Sequence, residues 1–197
     1  MHILLIHQNF AALHEPGGTR HHELARYLAE RGHRLTIITS PVSYLTGKAR
    51  IENSLPQELR SEHPGIQIIQ ASMYPALHRS FVHRVFSFLS FMLSSFWVGL
   101  RVKQIDAVWG TSPPIFQGIT AWAIARLKGA PFVFEVRDLW PAFAVQVGVL
   151  KQPVLILASE WLERFLYRQA NRLVVNSPGF VEHVQQRGAQ QGRLQHV

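Results

Sequence analysis

A short apolar run at residues 132–136 passes without a break into charged and aromatic residues and then into a proline. Phe132, Val133, Phe134 and Val136 are typical of a strand buried on both faces, and such strands belong to parallel sheets covered by helices. Open α/β sheets bind their ligands outside the carboxyl ends of the strands. The acid, the guanidinium and the indole at the end of this run therefore predict a tip that contacts a substrate.

A salt-bridged loop is the alternative interpretation of Arg137 and Asp138, which follow that strand. Successive side chains of an extended chain point to opposite sides, so the two are poorly placed to neutralise each other. This favours a functional role for both.

The rest of the sequence alternates between strands and helices. Further strands are predicted at residues 2–7, 34–39, 65–70, 106–110 and 172–176. Helices are predicted at about residues 20–30, 81–100, 115–127 and 154–170, with a short last helix that ends near Gly188. Gly32 closes the first helix, and residues 41–64 predict a long mobile loop. This alternation predicts an α/β fold, a doubly wound, mostly parallel Rossmann-like sheet with helices on both faces.

Two of the helices have a distinctive pattern. Residues 85–100 carry no charge but are shorter than the roughly 20 residues of a membrane-spanning helix. Ser87, Ser90 and Ser94 make a polar stripe on one side of the predicted helix, which indicates a buried or interfacial helix. The opposite side would carry Phe86, Leu89, Phe91, Leu93 and Trp97. In the helix at 154–170 the expected core face is Val154, Ala158, Trp161, Leu162 and Phe165.

Composition narrows the class of protein. The 197 residues are 47% hydrophobic and 16% charged, as in a packed globular domain. Lys and Arg outnumber Asp and Glu by 20 to 12, so the formal charge of +8 predicts anionic partners. The sequence has no cysteine, which is compatible with a reducing compartment, and residues 1–6 lack the basic region of a secretory signal. We expect a cytoplasmic protein.

The turn after the first strand is a candidate anion site. Gly17 and Gly18 allow close approach of the backbone to a ligand, and the helix start near Arg20 presents amide donors. The three-glycine dinucleotide fingerprint and the Gly-Lys-Ser/Thr phosphate loop are both absent. A nicotinamide enzyme and a P-loop nucleotidase are therefore disfavoured.

Several other polar residues are weaker candidates. His21, His22 and Glu23 resemble a metal site, but adjacent helical residues face different directions, so we expect them on the surface. His7 ends the first strand and is more simply a histidine bonded to the backbone. Thr111 and Ser112 end the fourth strand, where they either bond ligand hydroxyls or cap the helix after Pro113 and Pro114.

Three segments carry a resemblance to a known family: HILLIHQNF with EPGGTRHHELARYLAERGHRLTIIT, AVWGTSPP, and above all FEVRDLWP. Together they resemble the amino-terminal, acceptor-side half of bacterial family 4 glycosyltransferases of the GT-B type. The resemblance covers nearly the whole chain. The sequence departs from it after the proline, because Ala142 and Phe143 stand where such relatives often have Glu-Ser.

The resemblance implies a retaining hexosyltransferase that moves a sugar from a nucleotide sugar to a glycan or lipid-linked acceptor in surface polysaccharide synthesis. It implies no metal and no cofactor beyond the nucleotide-sugar co-substrate, and no nucleic acid as partner. Asp138 would orient or deprotonate the acceptor hydroxyl, or else cap the following turn. Arg137 would hold an acceptor phosphate or shape the loop, while Trp140 would stack on a sugar face or lie in the core.

The remaining substrate-binding residues implied are Gly17, Gly18 and Arg20 for the donor phosphate, with Thr111 and Ser112 beside the cleft. The basic flanks of the helix at 81–103 add a peripheral contact with the anionic inner face of the cell membrane. A helix packed on the sheet is the alternative for that segment.

Domain organisation follows from the same resemblance. Residues 1–190 would form the Rossmann-like domain and 191–197 would begin the linker to a donor-binding domain that lies outside this sequence, so this part alone would be inactive. Two alternatives stay open: a non-catalytic membrane or acceptor-binding module, and a sugar epimerase of GT-B architecture.

Overall fold

The computed structural model describes residues 1–11, 19–42, 63–76 and 81–197, without the side chain of Phe81. The strands in these ranges are β1 His2–Ile6, β2 Arg34–Thr39, β3 Ile66–Gln70, β4 Ala107–Ser112, β5 Phe132–Val136, β6 Arg172–Val175 and β7 Leu194–His196. The helices are α1 Arg20–Glu30, α2 Phe81–Arg101, α3 Phe116–Lys128, α4 Ala142–Gln146, α5 Pro153–Gln169 and α6 Phe180–Gln186, and a 3₁₀ turn spans Gln191–Arg193.

The strands form one parallel sheet in the order β3-β2-β1-β4-β5-β6-β7. The chain starts in the middle, builds outward to β3, and then crosses back to lay β4 beside β1. The strand order therefore reverses between β1 and β4, and ligands bind at such a point in open α/β sheets. The predicted fold class is confirmed.

Helices cover the sheet from both sides. Helix α1 packs on β2 and β3, whereas α2, α3 and α5 lie side by side on the opposite face. Strand β1 shows the division, because Leu4 and Ile6 belong to one core and Leu5 to the other. This alternation is the two-residue period of a strand buried on both faces.

Two glycines have clear structural roles: Gly32 ends a helix as predicted, and Gly118 allows close packing of a helix on the sheet. Gly32 follows α1 with φ +78°, the left-handed conformation expected of a helix stop. A Cβ on Gly118 in α3 would lie 2.7 Å from Phe134 Cε2 and 2.8 Å from Leu166 Cδ1. Helix α3 therefore rests directly on β5 and α5, which fixes its amino-terminal end at the carboxyl edge of the sheet.

The structure adds elements that the sequence did not predict. Helix α4 follows the proline of the β5 tip, and β7 pairs with β6 as a seventh strand within the segment assigned to the linker. The six predicted strands all form. Of the predicted loop at 41–64, residues 43–62 lie outside the described residues.

The core face predicted for α5 is right in part: Leu162 and Phe165 pack against the core, whereas Val154, Ala158 and Trp161 are exposed. Val154 is 76% exposed and Trp161 is 64% exposed, whereas Glu163, Leu166 and Tyr167 are buried. The cause is a set of polar partners for Glu163: its Oε1 accepts hydrogen bonds of 3.1 Å from Tyr167 and from His183 Nε2. A carboxylate bound in this way can take the inner face, and Val154 and Trp161 then lie outside.

Helix α2 has the predicted two sides. Ser87 is buried, and Ser90 Oγ accepts a 2.8 Å hydrogen bond from the backbone N–H of Tyr74. On the opposite side Phe86 is 61% and Trp97 60% exposed, although Phe91, expected there, is buried. Among the described residues no helix is long and apolar enough to cross a bilayer.

Candidate functional site

The tip of β5 is held by the neighbouring strand. The backbone N–H of Arg137 donates to Ser112 O at 3.0 Å, so the β4–β5 pairing continues past the last strand residue. The guanidinium then donates to Ser112 O and Pro113 O, each at 3.4 Å. Trp140 N–H closes a turn on Asp138 O at 2.9 Å. The tip is therefore a fixed platform at the carboxyl edge.

Asp138 stands on this platform with its side chain largely exposed. Partial burial of the carboxyl group raises its pKa above the ordinary value, while the positive charge of Arg137 opposes that rise. Pro141, the N-cap residue of α4, makes no side-chain cap hydrogen bond. The exposed carboxyl group of Asp138 is accessible to a ligand.

A cavity of about 440 Å³ opens beside Asp138, between α2 on one side and α4 with the start of α5 on the other. Its polar lining is Asn9, Arg84, Asp138 and Ser159. Its apolar lining is Val82, Val85, Phe88, Pro113, Pro114, Ile115, Phe116, Trp140, Phe143, Val149, Leu150 and Leu155. We call it the α2–α5 cavity. Its size lies within the roughly 300–1,000 Å³ of small-molecule sites.

A second group of polar residues lies buried on the α1 side of the same edge. The Glu135 carboxylate accepts a 2.7 Å hydrogen bond from His21 Nε2 and a 3.1 Å hydrogen bond from Arg20 Nε. Burial alone would raise the pKa of Glu135, but the hydrogen bonds and charges of His21 and Arg20 outweigh it and hold the pKa below the ordinary value. The acid inside the apolar run is thus a buried anchor for the start of α1.

The predicted surface position of His21 and His22 is wrong, because they are only 1% and 2% exposed. The carboxylate of Glu135 draws His21 inward, and the ring of His22 stacks near Phe10. Within the described ranges no three His, Asp or Glu side chains are grouped as metal ligands.

His7 joins the buried group. Its Nδ1 shares a 2.8 Å hydrogen bond with Thr111 Oγ1, and its ring centroid lies 4.1 Å from that of His21. Both His7 and Thr111 are buried. The ring of this strand-end histidine is therefore bonded to a side chain, that of Thr111.

The predicted site residues thus fall into separate places. Asp138 and Trp140 line the α2–α5 cavity, and Arg137 supports the loop beside it. Thr111 and Ser112 are buried, and the hydroxyl of Thr111 is bonded to the ring of His7. Gly17 and Gly18 lie outside the described residues.

Sequence reasoning missed Gln117 as a support of the site. It is buried, its Oε1 accepts a 2.8 Å hydrogen bond from Gln8 N–H, and its Nε2 donates to Pro113 O at 3.0 Å. It therefore ties the loop after β1 to the loop after β4. A glutamine in an amphipathic helix gives no sequence signal for this.

The sheet order and the placement of the helices define a Rossmann-like α/β domain. The sequence matches the family described as glycosyl transferase 4-like domain over residues 17–197. The chain belongs to that family.

Solved structures share the fold. A sucrose-phosphate synthase from Thermosynechococcus elongatus matches at 14% identity with a TM-score of 0.68, covering 100% of this chain and 47% of that one. Acinetobacter baumannii MurG matches at 14% identity and a TM-score of 0.53, covering 100% of this chain and 45% of that one. Anabaena HepE, solved in complex with UDP and glucose, matches at 12% identity and a TM-score of 0.61, covering 100% of this chain and 44% of that one.

The chain therefore spans about half the length of these solved proteins. At such identities the likeness concerns the fold. Among curated proteins none matches the sequence significantly.

Proposed function

We propose that this domain binds the acceptor in a retaining hexosyltransferase that moves a sugar from a nucleotide sugar to a glycan or lipid-linked acceptor in surface polysaccharide synthesis. The observation that carries the proposal is the position of Asp138 and Trp140 on the wall of the α2–α5 cavity, at the carboxyl edge of the sheet. Family membership supplies the reaction class. The donor would be bound mainly by a further domain, and the domain by itself would be inactive.

Asp138 is the proposed catalytic residue. In the reaction the acceptor oxygen bonds to the anomeric carbon while the bond from that carbon to the phosphate oxygen breaks, and the nucleoside diphosphate leaves with the electron pair. The acceptor proton passes to Asp138 or to the leaving phosphate. Partial burial raises the pKa of Asp138, which makes its carboxylate a better base.

Arg137 and Trp140 would position the acceptor. The contacts of Arg137 with Ser112 O and Pro113 O support the loop-shaping role more directly than a phosphate-binding role. Trp140 is half-buried and lines the cavity, so one part of the indole packs in the core while another meets the ligand. An aromatic face of this kind suits the apolar side of a sugar ring.

The donor phosphate would be met from this side by Gly17, Gly18 and Arg20. The Arg20 side chain is 35% exposed while its Nε donates to Glu135, so its orientation is fixed before a ligand arrives. A guanidinium at the start of a helix reinforces the attraction of the helix amides for an anion.

The domain would also contact an anionic membrane surface at the inner face of the cytoplasmic membrane. Val82, Phe86, Leu93 and Trp97 form an exposed apolar stripe along α2, which we call the α2 stripe. Residues 64–105 contain no Asp or Glu; Arg84 lies near the amino-terminal end of the stripe, and Arg101 and Lys103 follow its carboxyl-terminal end. Apolar burial combined with basic flanks is the pattern of interfacial helices.

The test is transfer of a radiolabelled sugar by the whole transferase that contains this domain. A panel of nucleotide sugars is offered with a membrane extract as acceptor, and Asp138→Asn is compared with Glu182→Gln, an exposed acid on α6. We expect labelled acceptor with wild type and Glu182→Gln, and a loss of about 10²–10⁴-fold with Asp138→Asn.

Each remaining outcome identifies another function. Epimerised nucleotide sugar without labelled acceptor would assign an epimerase. Acceptor binding without turnover of any donor would assign a non-catalytic module. Equal transfer by Asp138→Asn and wild type would remove Asp138 from the mechanism.

A further inference from the structure

Apart from its four polar residues, the α2–α5 cavity is lined by apolar side chains. Ile115 and Leu150 are buried at its wall, whereas Val82, Phe143 and Leu155 are exposed. The exposed residues come from α2 on one side and from α4 and α5 on the other. The mouth of the cavity is thus bordered by apolar side chains from both sides.

Such a lining discriminates between ligands. The hydroxyl groups of a free glycan would lose water here and find few partners, which disfavours it. A hydrocarbon chain has no hydrogen bonds to water to lose, and its binding buries apolar surface of both the chain and the cavity wall. The chemistry of the lining therefore selects an apolar chain as occupant.

The surroundings determine how that chain arrives and what it carries. Val82 belongs both to the cavity lining and to the α2 stripe, so the mouth is continuous with the surface proposed to face the membrane. Arg84 lines the cavity on the α2 side, where residues 64–105 contain no acid, whereas Asp138 lines it from the β5 tip. On the α2 side, next to Arg84, a negatively charged group is thus favoured over a positive or neutral one.

We infer that the α2–α5 cavity binds the hydrocarbon chain of an anionic amphiphile, whose charged group lies beside Arg84 while the rest of its head group extends toward Asp138. This inference rests on the proposed acceptor role and decides between its two acceptor classes in favour of the lipid-linked one. The chain enters along the α2 stripe, and the polar head remains at the carboxyl edge of the sheet.

The test measures binding of dodecyl phosphate, kept below its critical micelle concentration, to the 197-residue chain by isothermal titration calorimetry. Inorganic phosphate provides the head group alone, and dodecyl glucoside provides the same chain with an uncharged head. We expect saturable binding of one dodecyl phosphate, weaker binding of dodecyl glucoside and no binding of phosphate.

A filled cavity and a matched control locate the site. Ser159→Phe places a ring in the cavity, whereas Ala158→Phe places the same ring on the adjacent, exposed position of α5. We expect Ser159→Phe to weaken dodecyl phosphate binding by about tenfold or more, as when about two methylene groups lose their burial, and Ala158→Phe to leave it unchanged. Val85→Phe fills the cavity from α2 and gives the same result if Ser159→Phe does not fold, as judged by circular dichroism.

The inference is overturned if dodecyl phosphate partitions without saturation, if inorganic phosphate binds as well, or if the filled variants bind like wild type. If dodecyl glucoside binds as tightly as dodecyl phosphate, the inference of an anionic head group is overturned. Because this experiment contains no donor and no transfer, its failure leaves the transferase proposal intact, with a glycan as acceptor. Conversely, chain binding without transfer by the whole enzyme overturns the transferase proposal alone.

Discussion

Glu135 and His21 are 114 residues apart in sequence and share a 2.7 Å hydrogen bond between Oε2 and Nε2. The carboxylate is fully buried and also accepts from Arg20 Nε at 3.1 Å. The bond joins the strand that carries the proposed catalytic tip to the helix that begins beside the proposed donor site. The two halves of the carboxyl edge are thus fixed relative to each other.

Removal of this charge should destabilise the domain. In Glu135→Gln the amide keeps the shape but cannot bind both His21 and Arg20 as an anion does, so we expect a loss of about 1–3 kcal/mol in the free energy of unfolding. Urea unfolding followed by fluorescence measures it. Glu23→Gln is the control, because its pair with Arg26 is exposed and should matter by about 0.5 kcal/mol or less. Equal losses of unfolding free energy in both variants would show that the buried pair stabilises the domain no more than the exposed pair does.

The same pair should make stability depend on pH. The pKa of Glu135 in the fold lies below its ordinary value of 4.5, so its stabilisation is complete above that value and is lost as the pH falls through the lower, folded pKa. The difference in urea midpoint between wild type and Glu135→Gln should therefore shrink on acidification below pH 4.5. A difference that stays constant across this range would contradict the assignment.

The ionisation of Asp138 should change the stability in the opposite direction. Its pKa is raised above the ordinary 3.8, so the ionised group disfavours the folded state, and stability falls as the pH rises through that window. At neutral pH we expect Asp138→Asn to be as stable as wild type or slightly more stable, while transfer by the whole enzyme is lost. Urea unfolding and the transfer assay are run on the same preparations. A parallel loss of stability would instead support the alternative that Asp138 caps the following turn.

The close approach of α3 to the sheet gives a steric prediction. A Cβ on Gly118 would meet Phe134 and Leu166 at less than 3.0 Å, so Gly118→Ala should cost about 1–3 kcal/mol by overpacking. Gly192→Ala is the control, because a Cβ there has nothing within 4 Å. Thermal unfolding of the two variants measures the difference, and equal melting temperatures would mean that α3 shifts without cost.

Much of this architecture could be predicted because its signals are local. The buried run at 132–136 and the stop at Gly32 depend on side-chain period and backbone conformation, which adjacent residues determine. The position of Asp138 at the carboxyl edge followed from the rule that parallel strands present their carboxyl ends at one edge. These elements formed as expected.

The parts that could not be predicted depend on partners distant in sequence. The burial of His21 requires Glu135, and the inward side of α5 requires His183 for Glu163. Neither partner can be inferred from the period of a helix. The period by itself predicted that the apolar side with Trp161 faces the core. The α2–α5 cavity likewise combines two helices with α4, which is too short to leave a clear pattern.

The α2 stripe predicts a salt-sensitive attachment to membranes. The double variant Phe86→Glu with Trp97→Glu places two acids where exposed aromatic rings would enter the interface, so its sedimentation with phosphatidylglycerol vesicles at low salt should fall at least about tenfold. Tyr27→Glu is the control, since this exposed ring lies on α1, across the sheet from α2. Wild type should bind less at moderate salt, because screening weakens the pull of Arg84, Arg101 and Lys103 on the anionic lipid. If wild type stays in solution at both salt concentrations, or if both variants sediment alike, the stripe is not a membrane contact.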